Sequence, residues 1–333
     1  MNIAAVVVTH NRRDILLDTL RALLQQGDAL GAIYLTDNAS SDGTTEALRQ
    51  AGLLDDRRLH YLRLEHNSGG AGGFAQGLEQ AFRQGFDAYW LMDDDACPTP
   101  NALEHLLDAA SNHLDRAVYC SAAVAWSARH EDLVLSCTAV LAQPVPGHPP
   151  VIQCHALLPE VTEVENLPFL GFLVSHRLVA MAGLPDASYF IDCDDIEYGQ
   201  RLRRRGAALY LVKNSLIHHP LPKAEMIPIL GRDFYHMQKT PQRRYWEVRN
   251  RLITARRYYG ARLWTQTLPG IAIRLGLAMR HGDQPRAQLK AFLEGLYDGL
   301  TTSARLPAAT NFVPVLSPGS IQPAGARPGE GPP

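Results

Sequence analysis

Three consecutive aspartates, Asp93 to Asp95, follow the apolar run "AYWLM". Carboxylates this close repel one another, and a carboxylate is seldom buried without a partner. A divalent cation, or a surface kept open for another reason, would relieve the repulsion. On an extended segment residues i and i+2 share a face. Asp93 and Asp95 are therefore expected to face one cation while Asp94 turns elsewhere in the same pocket. Hard carboxylate oxygens suit Mg2+ or Mn2+, which bind through one or two carboxylates together with substrate phosphates.

Other polar clusters carry compatible chemistry. "NSGGAGGF" at 67–74 opens a helical pattern. Glycines there let a backbone approach a ligand, and a helix N-terminus favours an anion. Asn67, Gly72 and Gly73 are its candidate contacts. The stretch is not a Walker loop, since no Gly-Lys-Ser/Thr follows, and it does not match the dinucleotide GxGxxG after a first strand. Thr9, Asn11 and Arg12 in "THNRRD" are further candidate ligand contacts. Asp37 and Asn38 in "TDNASSDG" offer a donor–acceptor pair that can read a nucleobase edge. Asp42 is more simply a helix N-terminal charge.

Asp194 and Asp195 open a later helical pattern, and Asp194-x-x-Glu197 has capping-box spacing. That leaves Asp195 in the first turn, free to face a site. A carboxylate near its reference pKa of about 3.9 is ionised at neutral pH and can accept a hydroxyl proton. His218 and His219 are adjacent on an extended segment, so only one of them is expected to reach a shared site.

The elements that must position these groups alternate. Ile3–Val8 is a β-branched run suited to a strand buried on both faces. Ile15, Leu16, Thr19, Leu20, Leu23 and Leu24 then recur at helical spacing. "AIYLT", "RLHYLRL" and "AYWLM" read as further strands, with helical patterns between them. This is the pattern of an α/β protein with a mostly parallel sheet, whose ligands gather outside the carboxyl ends of the strands. All four polar loops fall at that edge. Asn, Asp, Gly and Ser also dominate plain turns, but four such loops in succession on one edge favour a site. Residues 117–185, broken by prolines, are expected to form strands and loops that complete a substrate wall.

Charge and composition narrow the classes. The chain has 333 residues, 46% apolar and 20% charged, with a formal net charge of −2. That is a globular profile with no global field toward nucleic acid. Five scattered cysteines without a CxxC pair favour reduced thiols and a cytoplasmic setting. The N-terminus reads as a strand and not a signal peptide, and no window approaches a membrane span. From Arg232 to Arg262 nine Lys or Arg face two acidic residues on helical patterning, with aromatics interleaved. Such a run is either a solvated helix face or a peripheral membrane contact. The tail after Pro307, rich in Pro, Gly and Ala, is expected to be disordered.

Taken in order, "VVVTHNR", "TDNASSDGT", "NSGGAGGF" and "LMDDDACP" resemble the family 2 glycosyltransferases of GT-A fold. The double glycine, the triple aspartate and "DCDDIEYGQRLRRRG…LIHH…YWEVRNRL" look most like the galactofuranosyltransferase and rhamnosyltransferase branch. The resemblance spans roughly residues 1–260. It implies that Asp37 contacts a uracil or thymine edge and that Asn67 and its glycines line the nucleotide pocket. Asp93, Asp95 and His219 would hold Mn2+ or Mg2+ on the diphosphate, and Asp195 would be the catalytic base.

The expected architecture is a GT-A domain at 1–231, a helical extension at 232–306 and the tail at 307–333. The expected partners are a nucleotide-diphosphate sugar donor, UDP-galactofuranose ahead of dTDP-rhamnose, and a cell-envelope glycan or polyprenyl-linked acceptor. The rival is a non-catalytic nucleotide-sugar-binding subunit of a polysaccharide-assembly complex. A nucleotidyltransferase would want a glycine in "THNRRD", which has none.

Overall fold

Why the first strand is apolar at every position is evident from its place in the sheet. The computed structural model describes residues 1–111, 113–127, 132–221, 224–229, 232–281 and 284–305. The tail expected at 307–333 lies outside the described residues. The first elements are β1 (Ile3–Thr9), α1 (Arg13–Leu24), β2 (Leu30–Asp37), α2 (Thr44–Gln50), β3 (Leu59–Arg63), α3 (Gly69–Arg83) and β4 (Ala88–Asp93). β1 is central, parallel to β2 on one side and to β4 on the other, with β3 parallel beyond β2. Its alternate residues feed two cores. Ala4, Val6 and Val8 meet Phe74, Leu78 and Phe82 of α3, while Ile3, Ala5 and Val7 meet Leu16, Leu20 and Leu23 of α1. Full burial of each large aliphatic or aromatic side chain contributes about 1.5–3 kcal/mol.

The chain continues through β5 (Cys97–Pro98), α4 (Ala102–Ala110), β6 (Ala117–Ser127), β7 (Asp132–Val140), β8 (Val151–Cys154) and β9 (Val161–Glu163). It then forms β10 (Leu170–Ser175), α5 (His176–Ala182), α6 (Asp194–Arg204) and β11 (Ala208–His218). The sheet runs β3-β2-β1-β4-β10-β6-β11-β5. β10 is antiparallel to both β4 and β6, whereas β6 and β11 are parallel. The sheet is thus parallel in its first half and mixed beyond β4, where a mostly parallel one was expected. An antiparallel neighbour needs no crossover helix, and the proline-broken stretch before β10 supplies none.

The basic stretch also departs from expectation. Residues Arg232–Met237 form a strand, β13, paired antiparallel with β12 (Ala224–Ile229), and not the start of a helix. "RDFYHM" carries aromatic residues that favour strands. The helix α7 (Pro241–Tyr258) begins later, where the Thr240 hydroxyl accepts from the Arg243 N–H and proline sits at the first position. It packs with α8 (Leu268–His281) and α9 (Pro285–Thr301) around Val248, Leu252, Ala255, Ile271 and Phe292. Its cations do not form a free stripe. Lys239, Arg244, Arg251 and Arg257 pair with carboxylates, and Arg249 and Arg256 bond backbone carbonyls. No helix among the described residues is long and apolar enough to cross a membrane.

Candidate active site

The two-residue strand β5 does more than close the sheet edge. It pairs Cys97 with His218 and Pro98 with Ile217, which brings the end of β11 beside the aspartates. His219 Nε2 lies 3.4 Å from Asp95 Oδ1, and His218 is left exposed. Only one of the two histidines reaches the site. Asp93 ends β4 and the next two aspartates leave it: Ala96 N–H donates to the Asp93 carbonyl at 3.2 Å, closing a turn. Strand alternation therefore does not apply to Asp94 and Asp95, and the turn separates them instead. Asp94 is buried, accepting from the Thr9 hydroxyl at 2.7 Å and from Arg12 Nη1 at 3.2 Å. Thr19 donates to its carbonyl at 2.8 Å. Asp95 accepts from the same Arg12.

This arrangement sorts the charges. Burial, then the negative neighbours Asp95, Asp94 and Asp194, push Asp93 well above the usual carboxylate range. Burial also raises Asp94, although Thr9 and Arg12 oppose it. For Asp95 burial is outweighed by His219 and Arg12, and its carboxyl is held below the usual range. Among the described residues no group of three or more His, Cys, Asp or Glu forms a ready ligand set. Asp95 Oδ1 and His219 Nδ1 are nevertheless buried without a hydrogen-bond partner; the 3.4 Å contact from His219 Nε2 to Asp95 Oδ1 is an ion pair and not an aligned hydrogen bond. An unpartnered carboxylate oxygen and imidazole nitrogen are donors of the kind a divalent ion accepts beside water and phosphate.

The predicted nucleotide contacts divide into those that face a ligand and those that hold the loops. The Thr9 hydroxyl is committed to Asp94. Asn11, at φ 54°, accepts from the Ser41 N–H at 2.7 Å and so braces the loop after β2. Arg12 remains half-exposed and spans the two aspartates. Asp37 is fully buried; its carboxylate accepts from the Ser40 N–H at 2.8 Å and from the Tyr61 hydroxyl at 2.6 Å. Asn67 is exposed and accepts from the Gly69 N–H at 2.8 Å.

Gly72 and Gly73 also meet a packing demand. A Cβ on Gly73 would sit 2.4 Å from Val8 Cγ1, and one on Gly72 would sit 2.6 Å from the Ser68 side chain. Both glycines let α3 pack closely, against β1 and its own first turn. Asn38 ties the two loops together: its amide donates to the Gly69 carbonyl at 3.0 Å and its oxygen accepts from the Ser68 hydroxyl at 2.8 Å.

Asp194 is not a cap. The helix α6 starts there, with Cys193 at φ 69° as the preceding residue and no side-chain cap. Glu197 does not reach back; it pairs with Arg201 and Arg257 and accepts from the Tyr258 hydroxyl at 2.7 Å. Asp195 stays half-buried and accepts from the adjacent Ile196 N–H at 2.7 Å. Burial raises both carboxyls above their usual range, with the neighbouring Asp195 charge adding to the effect on Asp194.

A feature of this turn was not anticipated. Phe190, Asp192 and Cys193 all have φ between 57° and 69° without being glycine, a conformation that costs about 1–2 kcal/mol per residue. Asn250 of α7 holds them. Its amide nitrogen lies 2.8 Å from the Tyr189 carbonyl and 2.9 Å from those of Ile191 and Asp192. Arg249, a donor only, bonds Asn250 Oδ1 at 2.7 Å and so fixes which end of the amide faces the turn. On its other side the turn meets α3: Ala71 N–H donates to the Phe190 carbonyl at 3.1 Å. Gly69, at φ +74°, passes so close that a Cβ would lie 2.1 Å from that oxygen.

A mixed α/β sheet with an aspartate turn and a histidine at its carboxyl edge defines a class. The family model "Glycosyl transferase family 2" matches residues 4–132. Galactofuranosyltransferase GlfT1 of Mycobacterium tuberculosis is 29% identical over 268 residues, 75% of this chain and 81% of its own. GlfT1 of Mycolicibacterium smegmatis aligns likewise at 29% over 266 residues. The putative teichuronic acid glycosyltransferase TuaG of Bacillus subtilis is 33% identical over 93 residues, 28% of this chain and 36% of its own.

Solved GT-A structures share the fold. GalNAc-T7 with UDP, GalNAc and Mn2+ superposes with TM-score 0.55 at 14% identity, covering 92% of this chain and 58% of that one. The mannosyltransferase PcManGT of Pyrobaculum calidifontis, with GDP-Man and Mn2+, gives 0.54 at 16% identity, covering 90% and 84%. Residues 4–132 thus match the family 2 glycosyltransferase model, and the chain shares the GT-A fold. It is a nucleotide-sugar glycosyltransferase.

Proposed function

We propose that the chain is an inverting, divalent-metal-dependent transferase that uses UDP-galactofuranose, with dTDP-rhamnose as second donor, and extends a cell-envelope glycan or lipid-linked acceptor. The donor assignment leans on the galactofuranosyltransferase relatives. The single observation that carries the mechanism is the meeting of Asp95 and His219 through the β5–β11 pairing, with a buried oxygen and nitrogen left unpartnered. An ion held by Asp93, Asp95 and His219 would supply charge neutralisation for the departing diphosphate.

The chain's own residues do the rest. Asp195 accepts the proton of the acceptor hydroxyl. That oxygen bonds the anomeric carbon from the face opposite the diphosphate, while the carbon–oxygen bond to the diphosphate breaks with its electron pair. Burial raises the basicity of Asp195 above that of a free carboxylate, which suits a general base. Arg12 holds Asp94 and Asp95 against their mutual repulsion. The reaction is placed on the cytoplasmic side, at the membrane when the acceptor is polyprenyl-linked. Peripheral contact through 232–306 would then use the exposed Trp264, Leu293 and Tyr297 in preference to the arginines.

The experiment is a donor screen with Mn2+ or Mg2+, scoring released nucleoside diphosphate in the presence of acceptor sugars. UDP-galactofuranose should give the highest turnover, and chelator should abolish it. Turnover undiminished by excess chelator would remove the metal, and a different preferred nucleotide would overturn the donor.

A further inference from the structure

The turn that presents Asp195 borders a second charge imbalance, of opposite sign to the aspartates. Glu247 Oε1 lies 3.4 Å from Arg251 Nε, 3.6 Å from Lys239 Nζ and 3.7 Å from Arg274 Nε. Its Oε2 accepts from Arg244 Nη1 at 2.6 Å. Asp192 takes Lys239 at 3.1 Å and Arg243 at 3.4 Å. Five cations from α7, α8 and the segment before α7 thus share two carboxylates among the described residues.

Solvent does not explain this excess. The side chains of Lys239 and Arg244 are only 6% and 3% exposed. Arg251, Arg274 and Arg243 reach the surface at 35%, 40% and 51%. Two of the cations are therefore buried beneath the carboxylates and three reach solvent. The electrostatics agree: burial and the neighbouring Arg251 lower the basicity of Arg274. Glu247, despite burial, is brought down to about 2 by Lys239, Arg251, Arg244 and Arg274.

We infer that the solvent-reaching cations of this cluster, Arg251 and Arg274 on Glu247 with Arg243 on the neighbouring Asp192, form a binding site for a diphosphate anion carried by the acceptor. Planar guanidinium forks are matched to phosphate oxygens. Asp192, which pairs with two of the cations, lies three residues before Asp195, and Arg251 is close enough to Asp195 to favour its charged form. An acceptor anchored here by its diphosphate would present its sugar toward Asp195. The donor's own diphosphate belongs with Asp93 and Asp95, at the end of β4. The acceptor assignment rests on Asp195 being the base, whereas anion binding does not.

The test is calorimetry on the full chain in Mg2+ buffer saturated with UDP. Inorganic pyrophosphate and farnesyl diphosphate are the probes, against wild type and Arg251→Gln/Arg274→Gln. One pyrophosphate should bind beside UDP. The double variant should weaken it roughly 100-fold, about tenfold per lost guanidinium, or ~1.4 kcal/mol each, with UDP affinity unchanged. Tighter binding of farnesyl diphosphate than of pyrophosphate identifies a lipid-linked source, and equal affinity identifies the anion alone. If the double variant does not fold, Arg274→Gln alone should still weaken pyrophosphate about tenfold. No pyrophosphate binding to wild type, equal binding to the variants, or displacement by UDP overturns the site. Because no turnover is read, a failed donor screen with intact pyrophosphate binding would sink the transferase mechanism and leave the anion site standing.

Discussion

Replacing Asn250 with alanine tests whether α7 holds the reactive turn in place. The amide nitrogen has two protons for three carbonyls, those of Tyr189, Ile191 and Asp192, so one bond is shared. Each carbonyl left without a donor in a buried setting costs about 1–3 kcal/mol. Partial relaxation of Phe190, Asp192 and Cys193 toward ordinary φ would recover about 1–2 kcal/mol per residue. The net loss of stability should then be about 2–4 kcal/mol, and the recovery comes only if the turn moves. Movement is what catalysis should feel, since a displacement near 1 Å at a reacting group can cost about 10² in rate. The matched control is Leu252→Ala, two residues along α7 in the core shared with Val248 and Phe292, which should lose about 2–5 kcal/mol by cavity formation. Denaturant melts would establish comparable destabilisation. At a temperature where both remain folded, Asn250→Ala should lower kcat about 10²-fold with donor KM little changed, and Leu252→Ala should leave kcat intact. Hydrogen exchange should rise in 187–196 only for Asn250→Ala. Equal kcat in the two variants, or an unchanged exchange rate in the turn, would refute the reasoning.

Further outcomes follow from the same geometry. Asp95→Asn should abolish metal-dependent turnover, while Asp94→Asn, which loses the charge that draws Thr9 and Arg12, should act through stability; a greater fall in metal affinity for Asp94→Asn would reverse these roles. Asp195→Asn should lower kcat by about 10²–10⁴ with donor affinity retained, as read by steady-state kinetics and calorimetry. Because burial raises Asp195 and a base must be deprotonated, wild-type kcat should be full above its folded pKa and fall as pH drops through it, at a higher pH than an exposed carboxylate would give; a limb at or below the ordinary carboxylate value counts against it. Gly73→Ala should cost about 1–3 kcal/mol by overpacking against Val8, whereas Gly70→Ala, with nothing within 4 Å, should be neutral or slightly stabilising in thermal melts.

What could be read from the sequence was whatever a local rule forces. Three adjacent carboxylates demand a partner, and the structure supplies Arg12, Thr9 and His219 around them. Strand and helix periods give the alternation from β1 to β4, whereas the order β3-β2-β1-β4 comes from the fold. Strand direction is another matter, because an apolar run such as "LGFLVS" reads the same whichever way it enters the sheet, so the antiparallel β10 was not legible. The capping-box spacing at Asp194 misled for a related reason: Glu197 is claimed by Arg257 and Tyr258, sixty and sixty-one residues further along. No local rule weighs such a competitor. The strained turn was equally silent, since Phe190, Asp192 and Cys193 are not residues that announce a positive φ, and the amide that compels them arrives from α7.

The cations of α7 show how the charge rule that worked for the aspartates fails when pairing crosses the fold. Read along the chain, nine basic residues against two acidic ones suggest an outward stripe. In the structure, Glu247 and Asp192 draw several inward, and Asp186 and Glu197 take Arg257. Counting charges along a segment gives the sign of its excess. Only the folded arrangement says which part of that excess reaches the surface, and around Glu247 it is the guanidinium groups of Arg251 and Arg274.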